Sequence, residues 1–306
     1  MKNEQLLELQ TICAGHCLTD EPMCRHTTFR TGGPARAFAQ PESEEELSGI
    51  LTWCRENRTP FYIIGNGSNL LVSDDGFEGV VIQLFKNFSS ITSRDGILTA
   101  QAGARLSVLA HTALENHLAG LAFASGIPGT VGGAVVMNAG AYGGEMKDVL
   151  TRVRILTQEG TIQWVDASEL KLGYRTSRIP EEGWVVLAAE MKLTPGDADE
   201  IAAVMEDLKQ QRILKQPLDL PSAGSTFKRP EGNFAGKLIM EAGLRGFRVG
   251  DAQVSEKHCG FVVNRGQASS ADIWKLICEV RRKVFEDSGI LLEPEVKLLG
   301  TFPEFG

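Results

Sequence analysis

Apolar positions along the chain switch between helical and strand spacing, and the switches outline a mixed architecture. Leu6, Leu9 and Ile12 or Cys13 fall on one side of a helix within the first fifteen residues. Ser43 and Glu46 read as a capping box ahead of a helix carrying Leu47, Ile50, Leu51 and Cys54. Strands are predicted at 61–64, 80–85 and 97–102, then a helix over 105–118 with Leu106, Leu109, Ala113 and Leu114 inward. Val153-Arg154-Ile155 and Ile162-Gln163-Trp164 flank Glu159-Gly160 as a hairpin, and Trp184 to Leu193 reads as a further strand. Thr194-Pro195-Gly196-Asp197 interrupts the pattern and starts a helix with Ile201, Val204, Met205 and Leu208, which Pro217 and Pro221 punctuate. A last helix over about 270–287 turns Ile273, Ile277, Val280 and Val284 inward, stops at Gly289 and leads into a strand from Ile290 to Leu299. This order implies an α+β fold rather than a doubly wound sheet, with a domain boundary between 195 and 220.

Composition narrows the function classes. The 306 residues are 42% hydrophobic and 23% charged, ordinary for a globular chain with room for two cores. A formal charge of -8 argues against nucleic acid or an anionic membrane as partner, so local cations must recruit any anionic ligand. No apolar run reaches membrane length and MKNEQLLELQ lacks a signal-peptide core, so a cytoplasmic protein is expected. Six cysteines in that compartment are expected to be free. Cys13, Cys17 and Cys24 with His16 and His26 match no zinc spacing; Cys13 and Cys17 are expected to share a helix face, and no metal is predicted. Cys54, Cys259 and Cys278 read as small core residues.

Two glycine-rich loops carry the ligand signal. Ser125 to Gly144, SGIPGTVGGAVVMNAGAYGG, holds seven glycines and almost no charge. Such a run lets backbone approach a diphosphate or a planar ring closely, although a tight crossing of packed elements would look alike. Gly65-Asn66-Gly67-Ser68-Asn69-Leu70 follows the apolar run 61–64, where an open sheet places phosphates, but it is neither a full dinucleotide fingerprint nor a Walker loop. Together the two suggest a dinucleotide gripped from both sides.

Three further segments combine reactive groups with rigid backbone. In Gly173-Tyr174-Arg175-Thr176-Ser177-Arg178 an arginine fork suits a carboxylate. In Ala223-Gly224-Ser225-Thr226-Phe227-Lys228-Arg229-Pro230 a serine precedes two cations that would stabilise its alkoxide. In Leu292 to Leu298 alternation puts Leu292, Val296 and Leu298 on one face, with Glu293, Glu295 and Lys297 on the other. Surface arginine, turn-capping serine and solvated strand are the plain alternatives.

Taken in order, HTTFRTGGP from His26, GNGSNLLV, SGIPGTVGGAVVMNAGAYG, GYRTSR, AGSTFKRP, AGKLIMEAGLRG and LEPEV resemble the UDP-N-acetylenolpyruvoylglucosamine reductase (UDP-N-acetylmuramate dehydrogenase) family, in its short form without the extra tyrosine loop. The resemblance implies a vanillyl-alcohol-oxidase/PCMH-type FAD-binding domain at 1–198, in two α+β subdomains of about 1–85 and 86–198, and an α+β substrate domain at 199–306. It implies NADPH-dependent, FAD-mediated reduction of UDP-N-acetylglucosamine enolpyruvate to UDP-N-acetylmuramate for peptidoglycan precursors, with no obligate protein partner. Ser225 then falls on the proton donor, and Arg175 and Glu295 on its two catalytic partners. Non-covalent FAD would meet Gly65, Asn66, Gly67, Ser68, Asn69 and Leu70, then Ser125, Gly126, Ile127, Pro128, Gly129, Thr130, Gly132, Gly133, Asn138 and Gly140. Tyr174, Lys215, Lys228, Arg245 and His258 would meet substrate. A sugar or lactone oxidase of the same fold and a non-catalytic nucleotide-sugar-binding module are the competing readings.

Overall fold

The computed structural model describes residues 1–304. Contacts divide the chain into two compact units, one comprising residues 1–18, 38–66 and 80–212 and the other residues 19–37, 67–79 and 213–306.

The first unit is built on a five-stranded antiparallel sheet in the order Ile162–Asp166, Leu150–Leu156, Val185–Lys192, Ile97–Gln101 and Ile91–Arg94. The hairpin register pairs Arg154 with Trp164 and Arg152 with Asp166, and the Arg152 guanidinium stacks over the Trp164 ring. Helix α1 (Asn3–Ile12) lies on helix α2 (Glu44–Glu56), held by Trp53 Nε1 donating to Glu8 Oε2 at 3.2 Å and by Ile12 against Gly49. The Ser43 hydroxyl caps α2 by accepting from Glu46 N–H, while the Glu46 carboxylate takes Glu42 N–H, one residue short of the reciprocal box. Strand Phe61–Ile64 runs parallel to the buried residues 80–83, so the glycine loop leaves the carboxyl end of a parallel pair. Helix α3 (Leu106–Glu115) buries Leu106, Leu109, Ala110 and Ala113, with Leu114 half-buried. Short helix α4 (Val131–Val136) follows the second glycine loop, and helix α5 (Ala198–Lys215) closes the unit's chain. Of the α5 positions expected inward, Ile201 and Met205 are buried but Val204 is 50% exposed.

The second unit folds around Phe29, Leu71, Phe227, Ile239, Val262 and the buried side of helix α7 (Ser270–Ser288). Helix α6 (Ala235–Glu241) contributes Leu238 and Ile239 to the same core. A three-stranded antiparallel sheet, Arg248–Val249, Ala252–Val254 and Val262–Asn264, packs on α7, whose Ile273, Ile277, Val280 and Val284 are all fully buried. Ser269 and Asp272 make a reciprocal box at the α7 start, and left-handed Gly289 ends it. The Asp74 carboxylate adds a second cap, accepting from Ser270 N–H and Ala271 N–H at 2.8 Å each. Asp74→Ala is therefore expected to destabilise this unit by about 1–2 kcal/mol, read as a lower urea midpoint, with Asp74→Asn costing less.

The strand expected from Ile290 to Leu299 is present only at Lys297–Leu299, paired in parallel with Leu70–Val72. Pro294 lacks the ladder donor and Glu295 N–H turns to Thr226 O, so the alternation slips: Leu292, Val296 and Leu299 are buried and Leu298 is exposed. The expected shared helix face of Cys13 and Cys17 is also corrected. Helix α1 ends at Ile12, Cys17 opens a strand, and the intervening turn through Ala14 and Gly15 brings the two thiols into a hydrogen bond. All six cysteines are free; His16 turns to Glu42 and His26 to Glu21. Among the described residues no helix is long and apolar enough to cross a membrane, and no group of three or more ligating side chains is placed to hold a metal.

Candidate active site

Within the first unit the two glycine loops meet. Asn66 Nδ2 donates to Pro128 O at 2.6 Å, and Gln83 Nε2 holds Gly65 O at 3.1 Å. A Cβ on Gly65 would sit 2.1 Å from Thr130 Oγ1, so only glycine allows this approach. Among the described residues nothing accepts from the backbone N–H of Asn66, Gly129 or Thr130. Thr130 is buried, and an N–H left unpaired there is costly unless a ligand takes it. A bare, donor-rich backbone cradle of this kind fits the diphosphate of a dinucleotide.

The remaining loop residues divide by what they touch. Gly133 is exposed, and a Cβ there would meet only Thr130 Oγ1, at 3.8 Å, whereas a Gly126 side chain would meet the Arg212 guanidinium. Ser125 Oγ and Ile127 N–H are turned to Ala122 O and Ala124 O. Gly132 is a packing glycine: its Cβ would lie 2.9 Å from Ala102 Cβ. Asn138 is fully buried with its amide fully engaged. Its Nδ2 donates to Glu145 and to Gly173 O at 3.0 Å, and its Oδ1 accepts from Lys147 N–H at 2.9 Å. Through these bonds it braces the turn that carries Arg175.

That turn closes through Gly173 N–H to Thr176 O and Thr176 N–H to Gly173 O, with Tyr174 and Arg175 at its tip. Arg175 is left-handed at φ 56°, an uncommon conformation for a side-chain-bearing residue. Its Nη2 donates to Gly140 O at 2.9 Å and its guanidinium stacks over Tyr174 at 5.0 Å. Gly140 thus serves the arginine, and its own Cβ would strike Gly144 O at 2.5 Å. Tyr174 is 51% exposed.

The rest of the loop 65–70 belongs to the second unit. Gly67 lies against His26 O, Leu70 is buried in its strand, Ser68 is half-buried, and Asn69 Nδ2 donates to Glu295 O at 3.2 Å. The same unit brings Ser225 and Glu295 onto adjoining segments. Thr226, wholly buried, is held on three sides: its N–H donates to Gly260 O, its O accepts from Glu295 N–H, and its Oγ1 accepts from Val262 N–H. Ser225 itself is exposed, so a rigid clamp presents an accessible hydroxyl. Lys228, two residues further on, has its Nζ 2.5 Å from Oε1 of the largely exposed Glu293, a surface ion pair.

Ser225 bridges to Phe261, whose ring meets His258 edge-on at 5.0 Å. His258 Nδ1 accepts from Gly260 N–H at 3.1 Å, which leaves the ring proton on Nε2 of the neutral form. Burial holds this imidazole below the ordinary histidine value of 6.5. The unfolded chain takes up the proton first as pH falls, so this contribution to stability is complete above 6.5 and declines as pH drops through it. Thermal melts across about pH 5–8 should show a shallower acid decline in His258→Gln than in the native chain. Arg245 donates to Glu256 O at 2.7 Å, and Lys215 is exposed at the end of α5. A separate cleft of about 420 Å³ opens beside them, with Pro217, Gln253, Ser255, Lys257 and Arg265 among its lining residues. None of the expected substrate residues lines that cleft.

Comparison with known proteins gives the class first. Residues 35–166 match the FAD binding domain model, so the chain is an FAD-binding protein, and the glycine cradle lies inside that match. Residues 216–299 match the C-terminal domain of UDP-N-acetylenolpyruvoylglucosamine reductase. The reductase of that name from Agathobacter rectalis is 54% identical over 297 residues, covering 93% of this chain and 94% of the relative. The one from Clostridioides difficile is 53% identical, covering 92% of each. The crystal structure of the Thermus caldophilus enzyme aligns with a TM-score of 0.80 at 38% identity, covering 93% of this chain and 98% of that one. The chain belongs to the UDP-N-acetylenolpyruvoylglucosamine reductase family, and is an FAD-dependent α+β oxidoreductase.

Proposed function

We propose that Ser225, Arg175 and Glu295 carry the reduction of UDP-N-acetylglucosamine enolpyruvate to UDP-N-acetylmuramate, with NADPH as donor. Bound FAD supplies the two-electron chemistry between donor and substrate. Residues 1–198 are assigned to the cofactor and residues 199–306 to the substrate, with the bare N–H groups of Asn66, Gly129 and Thr130 receiving the diphosphate. The cytoplasm supplies NADPH and nucleotide sugars, and we place the reaction there.

The chemistry asks two things of the chain. Addition at C3 of the enolpyruvyl group pushes electron density toward the carboxylate, and a fixed guanidinium lowers the energy of that charge. Arg175, braced by Gly140 O and the Asn138-held turn, fits this task. C2 then needs a proton from a positioned acid. The observation that carries this reading is Ser225, exposed next to a buried, three-point-held Thr226 whose carbonyl also anchors Glu295. Glu295, with its backbone fixed by Thr226 and Asn69, serves as the second acid at the same centre. Tyr174, Lys215, Lys228, Arg245 and His258 are the candidate substrate contacts.

Mass spectrometry of reactions containing NADPH and the enolpyruvate is the direct test. Loss of NADPH should match formation of a product two hydrogens heavier than the substrate. NADPH loss that tracks oxygen instead, with the enolpyruvate unchanged, would support an oxidase and overturn the assignment.

A further inference from the structure

Three thiols meet where α1 ends, and the proposed reduction uses none of them. Cys13 caps α1 and Cys17 opens the strand Cys17–Pro22, so the pair forms the stem of a tight reversal. Ala14 and Gly15 are both left-handed, at φ 45° and 93°, and His16 N–H donates back to Cys13 O at 2.7 Å. The Cys13 S–H donates to the Cys17 sulfur, which also takes Phe38 N–H. Cys17 Sγ turns its own proton to Leu18 O, 3.8 Å away, and Cys54 of α2 stands beside the pair. Cys13 and Cys54 are wholly buried. Cys17 is 5% exposed, beneath a turn whose residues 14–16 all face solvent and where a Cβ on Gly15 would meet nothing.

The arrangement makes the two sulfurs unequal. The Cys13 S–H, helped by Phe38 N–H, outweighs burial and holds the Cys17 thiol below the ordinary cysteine value of 9.0. The same hydrogen bond and burial push Cys13 far up, and burial pushes Cys54 to about 12. A thiolate stabilised by a neighbouring thiol can attack an oxidant and then be resolved by that neighbour. We propose that Cys13 and Cys17 are a redox-active dithiol, with hydrogen peroxide as oxidant, that closes to a disulfide between the end of α1 and the first residue of the strand. The Cys17 thiolate attacks one peroxide oxygen, the O–O bond breaks, and the departing hydroxide takes up the proton Cys17 released, leaving as water. The Cys13 sulfur then attacks the Cys17 sulfenic acid. The S–S bond forms, the S–O bond breaks, and hydroxide leaves with the Cys13 proton as a second water. The two sulfurs supply the two electrons that reduce the peroxide. Helix α1 buries only Leu9 among its own residues, so opening it to admit the reaction costs less than opening the sheet.

The test treats the native holoprotein with hydrogen peroxide, alkylates the remaining accessible thiols with iodoacetamide, and maps the products by fragmentation mass spectrometry. Cys13 and Cys17 should lose two hydrogens together, as an internal disulfide, about tenfold faster than Cys278 is oxidised. Cys54 should stay reduced and unalkylated, which reports an intact fold, and dithiothreitol should restore both thiols. Cys13→Ala should abolish the disulfide and leave a Cys17 sulfenic acid that dimedone captures. Cys17→Ala should slow oxidation of Cys13 to the rate of Cys278. If either variant fails to fold, the map of the native chain carries the test. Oxidation of Cys13 and Cys17 no faster than that of Cys278 overturns the proposal. A disulfide joining either thiol to Cys24 or Cys54 also overturns it, as does reaction seen only once Cys54 is alkylated.

Discussion

Ser225→Ala is expected to slow turnover of the enolpyruvate by roughly 10²–10⁴-fold, the range for loss of a positioned general acid, while NADPH still reduces the flavin at the native rate. The split follows from structure. Ser225 is exposed and contributes no core packing, whereas neighbouring Thr226 holds Gly260, Glu295 and Val262 through its backbone and hydroxyl. Removing one surface oxygen leaves that clamp in place, so FAD affinity and melting temperature should stay unchanged. Stopped-flow absorbance separates the two half-reactions. Native reoxidation by substrate in the alanine variant would remove Ser225 from the mechanism.

Arg175→Lys is expected to lower kcat by roughly 10²–10³-fold, the scale seen when one donor to a developing oxyanion is lost. Lysine keeps the charge but not the fork, and it cannot donate to Gly140 O with one nitrogen while presenting another to a carboxylate. The left-handed backbone at φ 56° is borne by both residues, so the change isolates the guanidinium. Steady-state kinetics with the flavin fully loaded provide the check, and near-native kcat would sink the assignment.

Much of the fold was legible because local pattern and tertiary packing agree. The stripe Ile273, Ile277, Val280, Val284 with Gly289 behind it needs no distant partner to read as a buried, capped helix, and all four side chains are fully buried. The hairpin at 150–166 is likewise local. Failures come where distant backbone decides. Leu298 follows the alternation only if 290–299 is one strand, and Pro294 together with the Glu295–Thr226 hydrogen bond breaks it. Val204 has helical spacing but is exposed.

The site was legible as motifs rather than as geometry. The glycine run suggested a single ligand surface, yet Gly132 and Gly140 are required by packing against Ala102 and Gly144, and Gly65 by Thr130. Asn138 carried a polar side chain in the right stretch, and only its three hydrogen bonds reveal a bracing role. Asp74, which caps a helix that begins at Ser270, had no signal in the sequence because its partners lie far along the chain.

The central claim is that one chain takes electrons from NADPH through FAD and delivers them to the enolpyruvyl group. Anaerobic visible absorption tests it most directly, with stepwise NADPH followed by UDP-N-acetylglucosamine enolpyruvate. The account predicts that the oxidised flavin spectrum bleaches with NADPH and returns, without oxygen, when the enolpyruvate is added. A flavin that bleaches but recovers only on exposure to air would contradict it.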